Sequence, residues 1–284
     1  MSDTARPANG PDISISPDEL QKVTALIYRW TGMTFGEGKR YYIERRVAER
    51  IGKTGCRDMR AYLALLGGDA TEREVLTNAF TINETYFYRE DHQFAALANE
   101  ILPAIVVDKR AGDLIRIWSV PCSTGDEAYS IALWLLENWP LVDAYNVEIV
   151  GSDIDTKAVE AAVAGRFAAR ALQRLPEKLV ATYFEPEHGH RRKIIDDLRE
   201  SVRFTAANLF DAASLEKLGR FDVIFCRNLL IYFDDASRLT AADNLHDRLV
   251  PGGYLCLGHS ESMARISDRF DLVRLADAIV YRRA

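Results

Sequence analysis

The chain has 284 residues, an apolar fraction of 48% and a formal net charge of −6. That size and composition support one large domain or two modest ones with a sizeable core, and exclude wholesale disorder. The acidic balance, 42 Asp and Glu against 36 Lys and Arg, argues against a general nucleic-acid binder. Four cysteines, Cys56, Cys122, Cys226 and Cys256, form no CxxC pair. Neither a zinc site nor a redox motif is expected, and free buried thiols in a reducing compartment are. The N-terminal residues lack the apolar run of a signal peptide. No stretch approaches about 18 uninterrupted apolar residues, so the expected protein is cytoplasmic with no membrane-spanning helix.

Residues 1–15 read as a flexible tail. Ser16-Pro17-Asp18-Glu19 then reads as a helix start, with Ser16 as cap, Pro17 at the first helical position and Glu19 completing a capping box. Leu20, Val23, Ile27 and Trp30 follow at helical spacing, and Gly32 can end the helix. Further helical patterns run over residues 38–51 and 58–66, and Thr71 with Glu74 offers a capping box for a fourth helix. An N-terminal all-helical domain is therefore expected over residues 16–90, and a linker helix and connection over 91–113, the helix ending near Leu102-Pro103. From residue 114 strand-like runs alternate with helical ones. The strands fall near 114–120, 147–152, 202–206, 221–226 and 254–258, with Pro251-Gly252-Gly253 as a turn before the last. This rhythm implies a parallel sheet covered on both faces. Residues 166–200 break it and read as a small inserted subdomain.

The first strand runs into Val120-Pro-Cys-Ser-Thr-Gly-Asp-Glu127, a small-residue loop turning into a helix. Such a turn makes a ligand crevice at the sheet's carboxyl edge, and Gly125 lets a ligand approach the backbone. The loop has neither GxGxxG spacing nor a P-loop lysine, and Asp126 and Glu127 would repel a pyrophosphate. A cofactor with a cationic amino-acid moiety suits it better than a dinucleotide. The ordinary alternative is that both acids favour the helix N-terminus. Asp153, at the end of the second strand, can take both hydroxyls of an adenosine ribose, while Asp155 suits a helix cap. Asn208-Leu209 follows the third strand, where an amide can read an adenine edge or simply make a turn. Arg227-Asn228 directly follows the fourth strand, a common place for site-facing polar groups.

In order and spacing the assembly resembles the CheR-type chemotaxis receptor methyltransferases over nearly the whole chain. The matching stretches are Asn83-Glu-Thr85-Tyr-Phe-Tyr-Arg89-Glu90, Cys122-Ser-Thr-Gly-Asp-Glu127-Ala-Tyr-Ser130, Gly151-Ser-Asp153-Ile-Asp155, Asn208-Leu209, Arg227-Asn228-Leu-Leu-Ile-Tyr232-Phe-Asp234 and Gly258-His-Ser-Glu261. The resemblance implies a Rossmann-like class I methyltransferase sheet (α/β) over residues 114–284, with an N-terminal all-helical domain and a small inserted β subdomain. It implies S-adenosylmethionine as cofactor and S-adenosylhomocysteine as product. Asn83, Thr85, Arg89, Glu127, Asp153, Asn208, Leu209, Arg227 and Asn228 would line the cofactor site, and no metal is implied. The family loop commonly ends EEP where this chain has Asp126-Glu127-Ala128, so Asp126 and Ala128 depart from the pattern and Glu127 does not.

The implied reaction is methyl transfer to glutamate carboxylates on the cytoplasmic methylation helices of transmembrane chemoreceptors. A glutamate is ionised at neutral pH and needs no base to become a nucleophile, which fits the lack of a Ser/His/Asp arrangement. Arg89 and Tyr232 then read as catalytic through orientation of the reactants. Lys39, Arg46, Arg50 and Lys53 fall in one helical stripe beside Ile43, Val47 and Ile51. The ordinary alternative is a solvated face, but on an acidic protein the resemblance implies docking to acidic receptor helices. A small-molecule methyltransferase on the same fold and a non-catalytic cofactor-binding adaptor are the competing readings. Family members that bind a receptor's C-terminal peptide resemble one another in a glycine-containing loop of the insert. Here the corresponding stretch, residues 183–194, holds only Gly189 among bulky charged neighbours, so independence from such a tether is expected.

Overall fold

A computed structural model describes residues 15–186 and 188–284. The expected tail lies outside the described residues except for Ile15, which is buried. The chain divides into two compact units, one ending at Thr81 and the other spanning Ile82–Ala284.

The first unit holds α1 (Pro17–Thr31), α2 (Arg40–Thr54), α3 (Met59–Gly68) and α4 (Ala70–Phe80). Both halves of the expected capping box form at α1: Ser16 Oγ accepts from Glu19 N–H at 3.3 Å, and Glu19 accepts from Ser16 N–H at 3.0 Å. Gly32 ends the helix at φ 71°, a conformation open to glycine at little cost. The start of α4 differs from expectation. Asp69, not Thr71, caps it by accepting from Glu72 N–H at 3.0 Å, which leaves Thr71 inside the first turn. Val23, Ile27, Ile43, Val47, Ile51, Leu66, Leu76 and Phe80 form the buried stripes that hold the four helices together.

The helical unit ends at Thr81, nine residues before the expected boundary at 90, and the expected 91–113 linker falls within the second unit. Residues 82–90 belong with the second unit because their backbone bonds to its helices: Tyr88 N–H donates to Ser130 Oγ at 3.0 Å, and Phe87 N–H to the Ala171 carbonyl at 2.9 Å. Next come α5 (His92–Ala96), a π-helical turn (Leu97–Ile101) and α6 (Leu102–Val106). The linker helix thus runs past Pro103 rather than stopping there. The wider turn before it accommodates a residue that has no N–H for the regular ladder.

The remaining elements are β1 (Leu114–Ser119), α7 (Asp126–Asn138), β2 (Asn146–Asp153), α8 (Thr156–Ala164), β3 (Arg166–Ala168), α9 (Ala169–Leu172), α10 (Glu177–Tyr183), β4 (Arg191–Lys193), α11 (Asp196–Glu200), β5 (Val202–Ala206), α12 (Ala212–Glu216), β6 (Phe221–Cys226), α13 (Asp235–Arg248), β7 (Leu249–Leu257), β8 (Phe270–Arg274) and β9 (Ile279–Arg283). Seven strands form one sheet in the order β5-β2-β1-β6-β7-β9-β8. The five expected strands are parallel, and β9 pairs antiparallel with both β7 and β8. This is the α/β class I methyltransferase architecture. The strand order reverses between the parallel neighbours β1 and β6, which opens a crevice at their carboxyl ends. All six residues of β6 are buried, as expected of a strand covered on both faces. Pro251-Gly252-Gly253 lies inside β7 rather than before it, where the pairing with β6 slips in register. The insert carries an antiparallel β3–β4 pair with three short helices, α9, α10 and α11.

Candidate cofactor site

The C-terminal ends of β1, β2 and β6 deliver the polar residues that the sequence singles out. After β1 the chain turns through Pro121, Cys122 and Ser123 into α7, whose first residues are Asp126 and Glu127. Gly125 stands at φ 90°, and a Cβ there would lie 2.9 Å from Ala162 Cβ and 3.1 Å from Phe204 Cζ. The glycine is therefore required by the turn and by the protein's own packing, independently of any ligand.

Arg227 organises the crevice. Its side chain is 2% exposed, and its Nη1 donates to Glu127 Oε2 at 2.9 Å. The other terminal nitrogen donates to the Arg89 carbonyl at 2.7 Å and pairs with Glu90 Oε2 at 3.1 Å. Glu127 also accepts from Ser119 Oγ at 2.7 Å. Burial raises the Glu127 pKa, and Arg227 only partly counters it. For Glu90 burial also pushes upward, but Arg227 and His259 outweigh it and hold its pKa below the ordinary value. One buried cation thus holds two carboxylates from different segments, a geometry that persists only when every partner is present.

Thr85, Arg89, Glu127, Arg227 and Asn228 line a single pocket together with Tyr86, Phe94, Pro121 and Ser123. Asn83 and Asp153 attach to its edge through Ser123. Asn83 Oδ1 accepts from Ser123 Oγ at 3.0 Å, while its amide donates to Asp155 Oδ2 at 2.8 Å. Asp153 accepts from Ser123 N–H at 2.8 Å and from Asp155 N–H at 2.9 Å. Both of its oxygens therefore brace the loop, leaving only their remaining lone pairs for a diol. Its pKa is raised to about 6, chiefly by burial. Asp155 caps α8, accepting from the N–H groups of Lys157 and Ala158, as expected. Asn208 and Leu209 are not on this pocket wall. Asn208 accepts from Phe210 N–H at 3.0 Å, Leu209 is buried, and its carbonyl takes Asn244 at 2.6 Å. Tyr232 ends the 3-10 turn Leu230–Tyr232, four residues beyond Asn228 and also off this wall.

Backbone strain gathers here as well. Among the described residues, Tyr88, Glu90, Ser123 and Asn228 are four of the five non-glycine positions with positive φ. Such conformations cost about 1–3 kcal/mol each and tend to cluster at functional sites.

The residues present suit S-adenosylmethionine. Arg89 and Glu127 offer opposite charges to a zwitterionic aminoacyl group, and Asp153 lies where a ribose edge would reach β2. Models of two families match the chain: the CheR methyltransferase all-alpha domain over residues 18–81 and the CheR methyltransferase SAM binding domain over residues 83–279. The chain belongs to the CheR methyltransferase family. It is 45% identical to chemotaxis protein methyltransferase 2 of Vibrio cholerae, covering 95% of this chain and 94% of that one. It is 33% identical to the chemotaxis protein methyltransferase of Vibrio parahaemolyticus, over 95% and 98% of the two chains. Chemotaxis protein methyltransferase 1 of Pseudomonas aeruginosa is also 33% identical, over 95% and 99%. This CheR protein is accordingly an S-adenosylmethionine-dependent methyltransferase of chemotaxis.

Sequence reasoning missed several parts of the CheR site. Ser119 and Ser123 carry no local signal, because a serine near a strand end is commonplace. Glu90 and Glu261 stand inside the family stretches, yet only their partners give them roles. Asp126 is 1% exposed; Thr124 Oγ donates to its Oδ2 at 2.6 Å, and its Oδ1 has no partner. Its pKa rises from 3.8 to about 6, burial outweighing the Thr124 bond. The sign follows: ionisation is penalised in the folded chain, so this contribution to stability is whole below pH 3.8 and lost as pH rises through about 6. Asp126→Asn should therefore raise stability at pH 8 by up to about 3 kcal/mol and change it little at pH 4. Urea midpoints at the two pH values check this, and an equal effect at both contradicts it.

Proposed function

We propose that the enzyme transfers the methyl group of S-adenosylmethionine to glutamate side chains of chemoreceptors, forming methyl esters. The observation that carries this reading is the pocket itself: beside the ion-paired Glu127 and Arg227 it presents Thr85, Arg89, Ser123 and Asn228, groups that orient reactants, with Glu84 and Tyr86 also on its wall. An acceptor ionised at neutral pH requires nothing more. When bound, the cofactor supplies a methyl group already activated by its sulfonium. The protein's part is alignment of oxygen, methyl carbon and sulfur. Arg89, whose Nη1 donates to the Glu84 carbonyl at 2.9 Å, is an orienting group, and Tyr232 is assigned to the acceptor side. Strong cationic stabilisation of the acceptor would oppose a step in which charge is neutralised. Transfer of a radiolabelled methyl group to receptor-containing membranes, with base-labile release, tests the reading. Label confined to small molecules, or no transfer at all, rejects it. The reading places the enzyme in the cytoplasm, and among the described residues no helix is long and apolar enough to cross a membrane.

The contacts of α2 narrow the part of the basic stripe offered for receptor docking. Arg50 is committed to Glu72, with bonds of 2.9 and 2.6 Å, and Arg46 lies over the Tyr42 ring at 3.6 Å with its Nε on the Ala79 carbonyl. Those two are structural cations. Lys39 and Lys53 are exposed, and Lys53 pairs with Glu49 one turn away. Lys39→Glu with Lys53→Glu should lower receptor methylation severalfold at low salt, less at high salt, and leave S-adenosylhomocysteine affinity unchanged. Normal methylation at low salt by the double variant excludes this surface.

The same reading holds that no receptor C-terminal peptide is needed. In the insert, β4 is flanked by β3 on one side, and the outer segment meets it on the other through the Phe184–Ile194 and His188–Arg191 bridges. The outer segment carries Pro186, which has no N–H to offer an added strand. Receptors with and without their C-terminal tails should be methylated at equal rates, and tight binding of the isolated tail peptide would overturn this.

A further inference from the structure

We propose that Glu261 is a positioning residue for methyl transfer, fixing the Asn228–Tyr232 connection from the neighbouring strand. The inference rests on reading the Arg227–Asn228 pocket as the cofactor site. β6 and β7 are parallel neighbours whose last pair is Cys226 with Leu257. Beyond that pair one carboxylate ties the two chain exits together. Glu261 Oε2 accepts from the N–H groups of Asn228 at 2.7 Å and Gly258 at 2.9 Å, and Oε1 accepts from Leu230 N–H at 2.7 Å.

Two independent observations show that the surroundings are built around this clamp. Asn228 is held at φ 59°, which a non-glycine residue adopts only when its surroundings enforce it. A Cβ on Gly258 would lie 2.8 Å from Glu261 Oε2 and 2.9 Å from Asn228 Nδ2, so only glycine leaves room for both groups. A second tie runs from the same loop: His259 Nδ1 lies 2.8 Å from Glu90 Oε1, and Glu90 holds Arg227. The loop after β7 therefore sets both pocket residues that follow β6.

Both oxygens of Glu261 are committed to backbone donors. Its effect passes through Asn228, which lines the pocket, and through the turn that ends at Tyr232. Three backbone donors on two oxygens need a carboxylate. Glutamine would offer one accepting oxygen and turn an N–H toward another N–H.

The full-length chain carrying Glu261→Gln tests the assignment, beside Gly258→Ala, which keeps the carboxylate but crowds it. Both should raise the S-adenosylhomocysteine Kd by at least tenfold by calorimetry and lower kcat by more than tenfold. The receptor KM should stay within twofold, and unfolding should remain cooperative. A merely structural clamp would lower the thermal midpoint and leave Kd and kcat of the folded protein at wild-type values, which overturns the proposal. Should Glu261→Gln fail to fold, Gly258→Ala decides: Kd and kcat within twofold of wild type sink the idea. Arg269→Ala, which removes exposed ion pairs to Asp243 and Asp247, should leave every value unchanged. Because S-adenosylhomocysteine binding needs no receptor, a wild-type enzyme that binds it but does not methylate receptors rejects the acceptor assignment alone.

Discussion

Arg227→Met should abolish cofactor binding and destabilise the sheet unit by about 3–5 kcal/mol, the usual cost of removing one partner from a buried ion pair. Two carboxylates, each 13% exposed, would lose the cation between them. Methionine restores much of the volume, so the loss is electrostatic rather than a cavity effect. The pH response separates the two. Without Arg227 the Glu127 and Glu90 pKa values rise, and a raised carboxyl pKa gives stability that is present at low pH and lost as pH rises. The defect should therefore be largest near pH 8 and shrink toward pH 5. Urea unfolding across that range, with calorimetric titration of S-adenosylhomocysteine, measures both effects. Wild-type cofactor affinity in the folded variant would remove Arg227 from the site, and a pH-independent stability loss would refute the electrostatic account.

Arg50→Ala should lower the stability of the helical unit by about 3 kcal/mol and leave cofactor affinity intact. Arg50 and Glu72 side chains are 16% and 6% exposed, and the Tyr62 hydroxyl donates to the same carboxylate at 2.7 Å. Burial works to raise the Glu72 pKa, but the Arg50 and Tyr62 bonds prevail and leave it below 4.5. A lowered carboxyl pKa gives stability that is present above the unfolded value and lost as pH falls through the folded one. In wild type this contribution should fade below about pH 4.5, and in Arg50→Ala that acid sensitivity should be weaker. Replacing both Arg50 and Glu72 with methionine should recover most of the stability, since a well-packed apolar pair often matches a buried ion pair. If the double variant is no better than Arg50→Ala, the ion pair and its hydrogen bonds carry stability that apolar packing does not replace. Arg50→Glu would set two carboxylates against each other, so lost methylation in that variant would report unfolding rather than docking.

The local signals in the sequence were those that span a few residues. The Ser16–Glu19 capping box, the Gly32 stop and the Asp155 cap each depend on neighbours within one turn, and each is found where the sequence places it. The five parallel strands announced themselves as short apolar runs because a strand buried on both faces has no polar alternation to hide. The order of the family stretches, from Asn83 to Glu261, was enough to indicate the family, the fold and the cofactor. The Asp69 cap was missed because Thr71 and Glu74 have equally good spacing, and only the helix start decides between them. β8, with Asp271 and Arg274, and β9, ending in Arg282-Arg283, were not read as strands, and each is settled by an antiparallel neighbour: β9 pairs on β7 and β8 on β9.

What tertiary structure alone decided is which charges meet. Arg227 and Glu127 stand 100 residues apart, and Asn83 and Asp155 stand 72 apart. Their pairing depends on which strands become neighbours, and composition does not carry that information. The same holds for the basic stripe of α2. Helical spacing put Arg46 and Arg50 on one face with Lys39 and Lys53, but α4 supplied Ala79 and Glu72 to two of the four. Periodicity fixes the direction in which a side chain points along its own helix. Whether it meets water or a partner is set by the element packed beside it, because a buried charge persists only where the fold brings an opposite one.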